Sequence, residues 1–419
     1  MRRHMSGLVG TALCRDGDGS QLAGNSSAAW ALLDGAALRD PGICQEIRKL
    51  MEQSGDLLLH HDPIWLGAGA GETPEAPALS ANAFYVCRRN GLLIGYAPFT
   101  SGSRALRFAV GELILYRHRL RSFTLVHDIV AVGGGEMRLA LTRELLDVIR
   151  RRLRPGEGVF LEGVPTDSAL FQAVSAPASG RSLLTVRLGD ACEHQFARLP
   201  DNFRDYEAQL GSNSRKKLRW GRKKLMEHVS GELRTARFTE MADVAQFVAD
   251  AQKISRATYQ WRLLGLGLRN APGLTATLVF AARNGWLRSY ILYCRGEPVA
   301  FMLGYHYCRT YYYMDVGYDP DWSKWGVGSI LQIEVMKDLL GDPNRPEIFD
   351  FSTGIGEHKT RFGNSSRSEI NLLLLKNCPR NALLAAAFTA TAVVDKQLRK
   401  SMERLGVKAS LKRWLRRRA

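Results

Sequence analysis

Residues 311–340 read YYYMDVGYDPDWSKWGVGSILQIEVMKDLL and combine a strand, a glycine turn and a helix. The aromatic, β-prone run Tyr311–Tyr318 stops at an Asp-Pro pair, and Gly326 and Gly328 then precede an amphipathic helical pattern. Glycines let a backbone approach a ligand closely, and the free amides at a helix N-terminus attract anions. Because no acidic residue follows Gly328 until Glu334, the stretch predicts a phosphate-binding turn.

The same order of secondary-structure patterns occurs twice along the chain. The first copy consists of a helix over residues 42–55, a hairpin around Asn90-Gly91, a strand over Phe123–Val132, a helix that begins after Gly133–Gly135, and the strand VFLEGV at residues 159–164. The second copy consists of a helix over residues 241–255, a hairpin turning at Arg295–Pro298, the strand Tyr311–Tyr318, the helix Ser329–Leu340 and the strand Glu347–Ser352. The copies are offset by roughly 190 to 205 positions, which is typical of an internal duplication.

The glycine turns of the two copies differ in charge. Glu136 lies in the first turn of the helix after Gly133–Gly135, where a carboxylate would repel a phosphate. The turn at Gly326 and Gly328 has no such acid. We therefore place the ligand in the second half and interpret the first half as a degenerate partner that shapes an acceptor cleft.

Basic residues are concentrated in two segments of the 419-residue chain. Residues 215–224, RKKLRWGRKK, hold seven, residues 408–419, KASLKRWLRRRA, hold six, and neither segment contains an acid, in a chain of net charge +17. Because the remainder is nearly balanced, the charge does not predict a surface that coats nucleic acid. The seven cysteines are scattered without a C-x-x-C pair. This pattern predicts no metal site and favours a reducing cytoplasm.

Four motifs between Ser212 and Lys376 follow one another in a specific order. They are SRKKLRWGRKKL at 214–225, the strand pair SYILYCRGEPVAFMLGYHYCRTYYYMDVGYDP at 289–320, the turn WGVG at 325–328 with its helix, and IFDFSTGIGEHKTRF at 348–362. Together they resemble the GNAT superfamily of acyltransferases. They are more closely similar to the acetyltransferase family linked to cellulose and exopolysaccharide biosynthesis, whose relatives include the Fem-type peptidoglycan aminoacyltransferases. Ser323 departs from the pattern, because the GNAT phosphate motif usually begins there with Arg or Gln.

The resemblance implies an α+β fold of two tandem GNAT-like units. Each unit would be a mixed, mostly antiparallel sheet flanked by helices, and a basic helical tail would follow at the C-terminus. The predicted division is a disordered N-terminus at 1–24, a degenerate GNAT-like domain at 25–190, a GNAT acetyltransferase domain at 191–380 and an amphipathic tail at 381–419.

The resemblance also implies an acyl-CoA donor, acetyl-CoA in the first instance. Its pyrophosphate would lie on the amides of Trp325, Gly326, Val327, Gly328 and Ser329. The pantetheine arm would follow the strand Tyr311–Tyr318 where that strand splays from Glu347–Ser352. The backbone between Met314 and Val316 would then stabilise the oxyanion that forms during acyl transfer.

Acyl transfer needs a base for the nucleophile and a proton for the leaving thiolate, and four residues are candidates for these roles: Asp315, Asp350, His358 and Lys359. Asp315 interrupts an aromatic strand, although a carboxylate on an outward face is the alternative. Asp350 lies between two phenylalanines, so it faces the cleft if those rings are in the core. Its alternative role is that of a structural hydrogen-bond acceptor. The resemblance implies a lysine at the position of Lys359.

Three further residues are predicted to bind substrate: Tyr312, Glu357 and Arg361. Lys359 and Arg361 could pair with an acidic saccharide, a nucleotide diphosphate or CoA itself. The alternative interpretation of the GEHKTRF segment is a solvated polar turn. The pair His60-His61 and the single His306 lack the spacing of metal ligands, and we interpret all three as structural.

The predicted function is therefore acyl transfer to a saccharide, a nucleotide sugar or another polysaccharide precursor. The alternatives are a catalytically inactive GNAT-fold scaffold in a polysaccharide synthesis complex and a Fem-type tRNA-dependent aminoacyltransferase. Whether nitrogen or oxygen accepts the acyl group stays open.

The C-terminal tail has an apolar stripe that is predicted to lie on one face of a helix. Its members recur at steps of three or four: Leu384, Phe388, Thr391, Val394, Leu398, Met402 and Leu405. A basic amphipathic helix of this kind can lie on anionic lipid or contact a membrane-bound synthase. The alternative is a helix packed on the enzyme body.

Overall fold

The structure is a computed structural model, which describes residues 29–404 apart from residues 34, 69–81, 112, 177–182, 258–267, 269–271 and 355. Two predictions lie outside the described residues, namely the disordered start of the chain and the basic end of the tail at 405–419.

Fourteen strands of the described chain form one mixed sheet. They are β1 (Ala29–Leu33), β2 (Ala83–Arg89), β3 (Leu92–Val110), β4 (Leu113–Val126), β5 (Val130–Ala131), β6 (Glu157–Pro165), β7 (Leu183–Arg187), β8 (Cys192–Arg198), β9 (Leu233–Phe238), β10 (Ser289–Cys294), β11 (Glu297–Tyr307), β12 (Thr310–Tyr318), β13 (Ile348–Thr353) and β14 (Ser365–Lys376). The order across the sheet is β1-β2-β3-β4-β6-β14-β8-β13-β12-β11-β10-β9, with β5 beside β3 and β7 beside β14.

Helices flank this sheet. They are α1 (Pro41–Ser54), α2 (Pro63–Ala68), α3 (Gly135–Arg152), α4 (Ala169–Ser175), α5 (Phe203–Gln209), α6 (Ser212–His228), α7 (Val244–Ala257), α8 (Pro272–Arg283), α9 (Val327–Leu340), α10 (Glu357–Phe362) and α11 (Pro379–Arg404). Short 3-10 helices occur at Gly35–Arg39, Leu59–His61, Met241–Asp243 and Pro320–Trp325.

The predicted duplication is visible in the topology. In the first unit β2, β3 and β4 pair antiparallel, and α3 then leads to β6, which pairs parallel with β4. In the second unit β10, β11 and β12 pair antiparallel, and α9 leads to β13, which pairs parallel with β12. A parallel pair requires a crossover connection, and a helix supplies it in both units. The predicted α+β class, with two sheet units and a helical C-terminal region, is therefore confirmed.

The hairpin turns of the two units are also alike. Asn90 and Gly91 have φ angles of 52° and 79°, and Arg295 and Gly296 have φ angles of 52° and 78°. Two successive left-handed residues form the turn type that matches the twist of a two-residue hairpin. The turn predicted at Arg295–Pro298 is thus shorter than expected, because Glu297 already begins β11.

The units exchange strands where they meet. The strand β14 follows β13 along the chain, yet it pairs with β6 of the first unit. The strand β8 precedes the second unit, and it pairs with β13 on one side and β14 on the other. The position of the predicted division near residue 190 stays a prediction, since one continuous sheet runs through both halves.

Two local features differ in detail from the expected pattern. The strand expected over Phe123–Val132 ends at Val126, because His127 has a left-handed φ of 71° and turns the chain before β5. The tail stripe also divides. Leu384 and Phe388 pack on the sheet, whereas Val394 is 53% and Leu398 42% exposed.

The second unit has a separate apolar cluster on each face of its sheet. One cluster joins residues of α6 and α9 to Tyr311, Phe349 and Phe351. The other joins residues of α7 and α8 to Tyr305 and Tyr312. Adjacent residues of β12 therefore point into different layers, as the two-residue period of a strand requires. This alternation decides which side of the sheet each candidate side chain serves.

Candidate active site

The sheet opens between β12 and β13. These strands pair only where Thr310, Tyr311 and Tyr312 lie opposite Ile348, Phe349 and Asp350. Beyond that point β12 continues to Tyr318 and β13 to Thr353. In the first unit β4 instead pairs with β6 as far as its last residue, Val126. The predicted splay is thus present in the second unit.

A β-bulge lies at the start of this opening. Leu303 of β11 is opposite Asp315, and the next residue, Gly304, is opposite Tyr313, so Met314 is the extra residue of β12. A bulge bends its strand and re-aims the residues that follow it. Met314 is 46% and Val316 37% exposed. The edge of β12 that was predicted to hold the pantetheine arm is therefore accessible.

The glycine turn stands directly beyond the end of β12. Gly326 adopts φ 66° and ψ 35°, and α9 begins at the next residue. The amides of Ser329 and Ile330 both donate to the carbonyl of Gly326 at 3.0 Å. The amides of Val327 and Gly328 come earlier in the helix, where an α-helix offers no acceptor. A Cβ on Gly328 would lie 3.4 Å from the ring of Tyr318, so the helix start and the end of β12 are neighbours.

Cationic groups surround this turn. The guanidinium of Arg361 lies 3.4 Å from the hydroxyl of Ser329. The ammonium of Lys324 lies 5.1 Å from the centre of the Trp325 ring. Trp325 also stacks on His228, the last residue of the basic helix α6, with 4.5 Å between ring centres. The predicted phosphate turn is therefore bordered by positive charge, which favours an anion.

Asp350 faces the side of the sheet opposite α9. Its neighbours Phe349 and Phe351 are fully buried in the layer beneath α9, which is the condition under which Asp350 was predicted to face the cleft. One carboxylate oxygen accepts hydrogen bonds from His194 at 2.5 Å and from the Ser352 amide at 2.6 Å. Asp350 thus lies at the last paired position before the opening, with a partner that the sequence did not suggest.

His194 bridges a partly buried carboxylate and a buried one. Its Nε2 bonds to Asp350, and its Nδ1 lies 2.9 Å from Glu369 of β14. Burial alone would lower the pKa of His194, but the hydrogen bonds to Asp350 and Glu369 outweigh it and raise the pKa to about 8. Burial likewise opposes ionisation of Asp350, whereas the bond to His194 holds its pKa below the usual value. An imidazolium between carboxylates is the stable form of this cluster near neutral pH.

The first unit covers the same face of the opening. The amide of Leu59 donates to the phenol oxygen of Tyr312 at 3.2 Å. The ring of His60 lies edge-on to Tyr312 at 6.0 Å. Burial lowers the pKa of His60, although the carboxylates of Asp350 and Glu162 oppose the shift. The residue Tyr312, predicted to bind substrate, is therefore beside Asp350 and beneath a segment of the first unit.

The other predicted catalytic residues do not join this cluster. Burial raises the pKa of Asp315, whose carboxylate accepts from the amide of Val316 at 2.8 Å. His358 is exposed, and its ring centre lies 6.0 Å from that of Tyr313 on the α9 side. Lys359 donates to the carbonyls of Ser352 at 3.3 Å and Thr353 at 2.7 Å.

The remaining predicted residues lie on α10. Glu357 is its first residue, and Arg361 reaches the glycine turn. The segment predicted as either a binding element or a solvated turn is thus a short helix, which the bonds of Lys359 tie to the end of β13.

Sequence reasoning missed His194, Glu369 and the position of His60. His194 lies in the strand CEHQFAR, and its partners are 156 and 175 positions away. One signal was available. Glu369 precedes the apolar run INLLLL in β14, and a buried carboxylate requires a charged or hydrogen-bonding partner.

Residues 212–360 match the model of a family described as the acetyltransferase (GNAT) domain. This segment of the chain is therefore similar to a GNAT domain, and we refer to residues 212–360 as the GNAT domain. The domain contains the opening, the glycine turn and most of α10, and the match supports acyltransferase activity. No curated protein sequence matches the chain.

Solved structures resemble the chain beyond this domain. FemX is 11% identical with a TM-score of 0.50, over 72% of this chain and 90% of that one. A tandem GNAT protein from the clavulanic acid biosynthesis pathway is 10% identical with a TM-score of 0.44, over 83% and 98%. The C-terminal domain of a lysylphosphatidylglycerol synthetase from Agrobacterium fabrum, itself described as putative, is 12% identical with a TM-score of 0.44, over 82% and 96%. The likeness to FemX shows a shared fold that extends outside the GNAT domain.

Proposed function

We propose that this protein is an acyl-CoA-dependent acyltransferase with acetyl-CoA as its donor. The observation that carries the proposal is the opening between β12 and β13 beside the start of α9. An exposed strand edge and a helix N-terminus within contact of each other suit a ligand that has both amide groups and a pyrophosphate.

The donor would span the two features. Its pyrophosphate would accept from the amides of Val327 and Gly328, with Arg361 supplying positive charge. Its pantetheine amides would bond to the free edge of β12 near Met314 and Val316, because β13 no longer pairs with β12 there. The thioester would then lie in the opening of the sheet, close to the bulge.

The acceptor would enter from the face of Asp350 and Tyr312. Because His194 holds Asp350 ionised and fixed in place, its second oxygen can accept a hydrogen bond from an attacking hydroxyl or amine. Asp315, whose pKa burial raises, is the second carboxylate we assign to proton transfer. His358 is the candidate for protonating the departing thiolate. We assign Lys359 to holding α10 on β13.

The acceptor class follows from the sequence resemblance. We propose a saccharide, a nucleotide sugar or another polysaccharide precursor, held by Tyr312, Glu357 and Arg361. The chemistry at Asp350 serves an oxygen or a nitrogen nucleophile equally.

Isothermal titration calorimetry of the full chain with acetyl-CoA tests the donor. We expect micromolar binding that desulfo-CoA shares and that adenosine alone lacks. A thiol-release assay over a panel of amino sugars, sugars and nucleotide sugars then tests the acceptor. If no CoA ester binds, the proposal fails. Salt-sensitive binding of tRNA without binding of CoA would favour a Fem-type aminoacyltransferase instead.

A further inference from the structure

The longest hairpin of the first unit projects beyond the sheet. The strand β2 pairs with β3 up to Phe99, and β6 pairs with β4 only from Arg121 onward. Between those limits, residues 104–110 of β3 and 113–120 of β4 pair only with each other in the described part of the chain. These residues form a two-stranded arm.

The helix α11 covers one face of the arm and passes its tip at Asp395. Leu106 and Phe108 are buried on that face, and Phe108 meets Phe388 of α11 edge-on with 5.6 Å between ring centres. At the tip, the amide of Gly111 donates to Asp395 of α11 at 2.7 Å. The tip of the arm is therefore in contact with α11 at Asp395.

Large apolar side chains are exposed on this surface. Leu113 is 65%, Leu115 57% and Tyr116 57% exposed at the arm tip. Val393 is 49% and Val394 53% exposed on α11, immediately before Asp395. Exposed apolar groups that cluster at one place mark a contact site, whereas scattered ones do not.

Arginines occupy the uncovered face of the arm behind its apolar tip. Arg107 and Arg117 are directly opposite each other across the strands, and both are exposed. The exposed Arg119 follows on the same face as these two. Like charges directly opposite one another destabilise a strand pair. We therefore expect a negatively charged partner to neutralise these arginines.

We propose that the arm tip and the end of α11 dock on an anionic lipid bilayer. Apolar side chains on a projecting tip can enter the interfacial region while arginines behind them meet lipid phosphates. A tyrosine at the boundary suits the same depth. The contact we propose is peripheral. Among the described helices, none has the length and apolar character of a membrane span. The proposal is independent of the acyltransferase function.

Flotation of the full chain with vesicles tests the proposal. We expect binding to vesicles of phosphatidylglycerol and phosphatidylcholine, and little binding to phosphatidylcholine alone. The double variant Leu113→Ser with Leu115→Ser should bind the vesicles at least about tenfold more weakly, because it lacks two apolar side chains that the bilayer would bury. The variant Arg107→Gln, Arg117→Gln, Arg119→Gln should lose about tenfold or more on anionic vesicles.

Matched control variants test whether vesicle binding depends on this surface or on exposed leucines and arginines anywhere in the chain. Leu92→Ser changes an equally exposed leucine, 71% accessible, at the other end of β3. Arg89→Gln, Arg151→Gln, Arg152→Gln removes the same number of exposed charges elsewhere. Both should bind as the wild type does. Circular dichroism should show that every variant folds.

Three outcomes overturn the proposal. The first is that the wild type does not float with anionic vesicles. The second is that the arm variants float as well as the controls, while neutralising Arg416, Arg417 and Arg418 abolishes flotation. The third is a wild-type dimer in light scattering that becomes monomeric in the Leu113→Ser, Leu115→Ser variant without any vesicle binding, which would assign the surface to a second copy of the chain.

Discussion

The Nε2 atom of His194 donates to the carboxylate of Asp350 at 2.5 Å, although the two residues are 156 positions apart. His194 comes from the strand between the units, and Asp350 comes from the strand at the opening of the GNAT domain. Because of this bond, the protonation state of the candidate catalytic carboxylate depends on a residue outside the repeated pattern. An account of the GNAT domain as an isolated module would omit this control.

Replacing Gly328 by aspartate should abolish binding of acetyl-CoA. The carboxylate would stand among the free amides at the start of α9 and repel the pyrophosphate, and we expect a loss of at least about a hundredfold, or roughly 3 kcal/mol. Gly328→Ala is the control, because its Cβ would make an ordinary 3.4 Å contact with Tyr318. Calorimetry measures both. Equal affinity in the aspartate variant would place the phosphate elsewhere.

Replacing His194 by glutamine should lower kcat and shift the pH profile. Without His194, burial would dominate the pKa of Asp350 and raise it, so the acidic limb of kcat/KM should move to higher pH. We expect a kcat loss of about ten- to a hundredfold, with an unchanged KM for acetyl-CoA. Asp350→Asn should lower kcat further and remove that limb. A profile identical to that of the wild type would show that His194 is only structural.

The stability of the protein should fall between about pH 6.5 and pH 8. The folded state raises the pKa of His194 to about 8, so its contribution is complete below the unfolded pKa of about 6.5 and lost as the pH rises through 8. The expected change is roughly 2 kcal/mol. Urea unfolding of the wild type and of His194→Gln at both pH values measures it, and the variant should show a flatter response.

Below pH 6.5 two other histidines give stability the opposite pH dependence. Burial lowers the pKa of His61 to about 4 and that of His127 well below its ordinary value. Each residue is buried in its neutral form, so acidification toward pH 5 should destabilise the fold through both. The pH measurements for His194 should therefore not extend below 6.5.

Gly304→Ala should destabilise the second unit. A Cβ at this position of β11 would overlap the phenol of Tyr311, which is fully buried and stacked on Phe349. We expect a loss of about 1–3 kcal/mol in the free energy of unfolding. Gly102→Ala is the matched control on a strand, because its Cβ would lie 3.5 Å from the nearest atom, the Ser122 hydroxyl. Equal stability of the two variants would contradict the packing described for Tyr311.

The elements of the GNAT domain could be predicted because their signals are local. The strand Tyr311–Tyr318, the turn at Gly326 and the helix that follows are each encoded by neighbouring residues, and the structure has them within two positions of the prediction. The alternation of Phe349, Asp350 and Phe351 likewise indicated which face Asp350 would occupy. Periodicity within one segment is sufficient for inferences of this kind.

The partners of Asp350 could not be predicted because they depend on strand exchange. The placement of β8 beside β13 and of β14 beside β6 joins segments that no local pattern links. The charge cluster of His194, Glu369 and Asp350 exists only after that exchange. The arm of β3 and β4 was missed for a similar reason, since its length beyond the sheet depends on where β2 and β6 stop pairing.

The exchange of β8 and β14 also sets an order for synthesis and folding. The first unit has its partner for β6 only when residues 365–376 have been made, so its sheet must keep an open edge until those residues have left the ribosome. An exposed edge of this kind invites pairing with other chains. We therefore expect an isolated first half to aggregate rather than to fold.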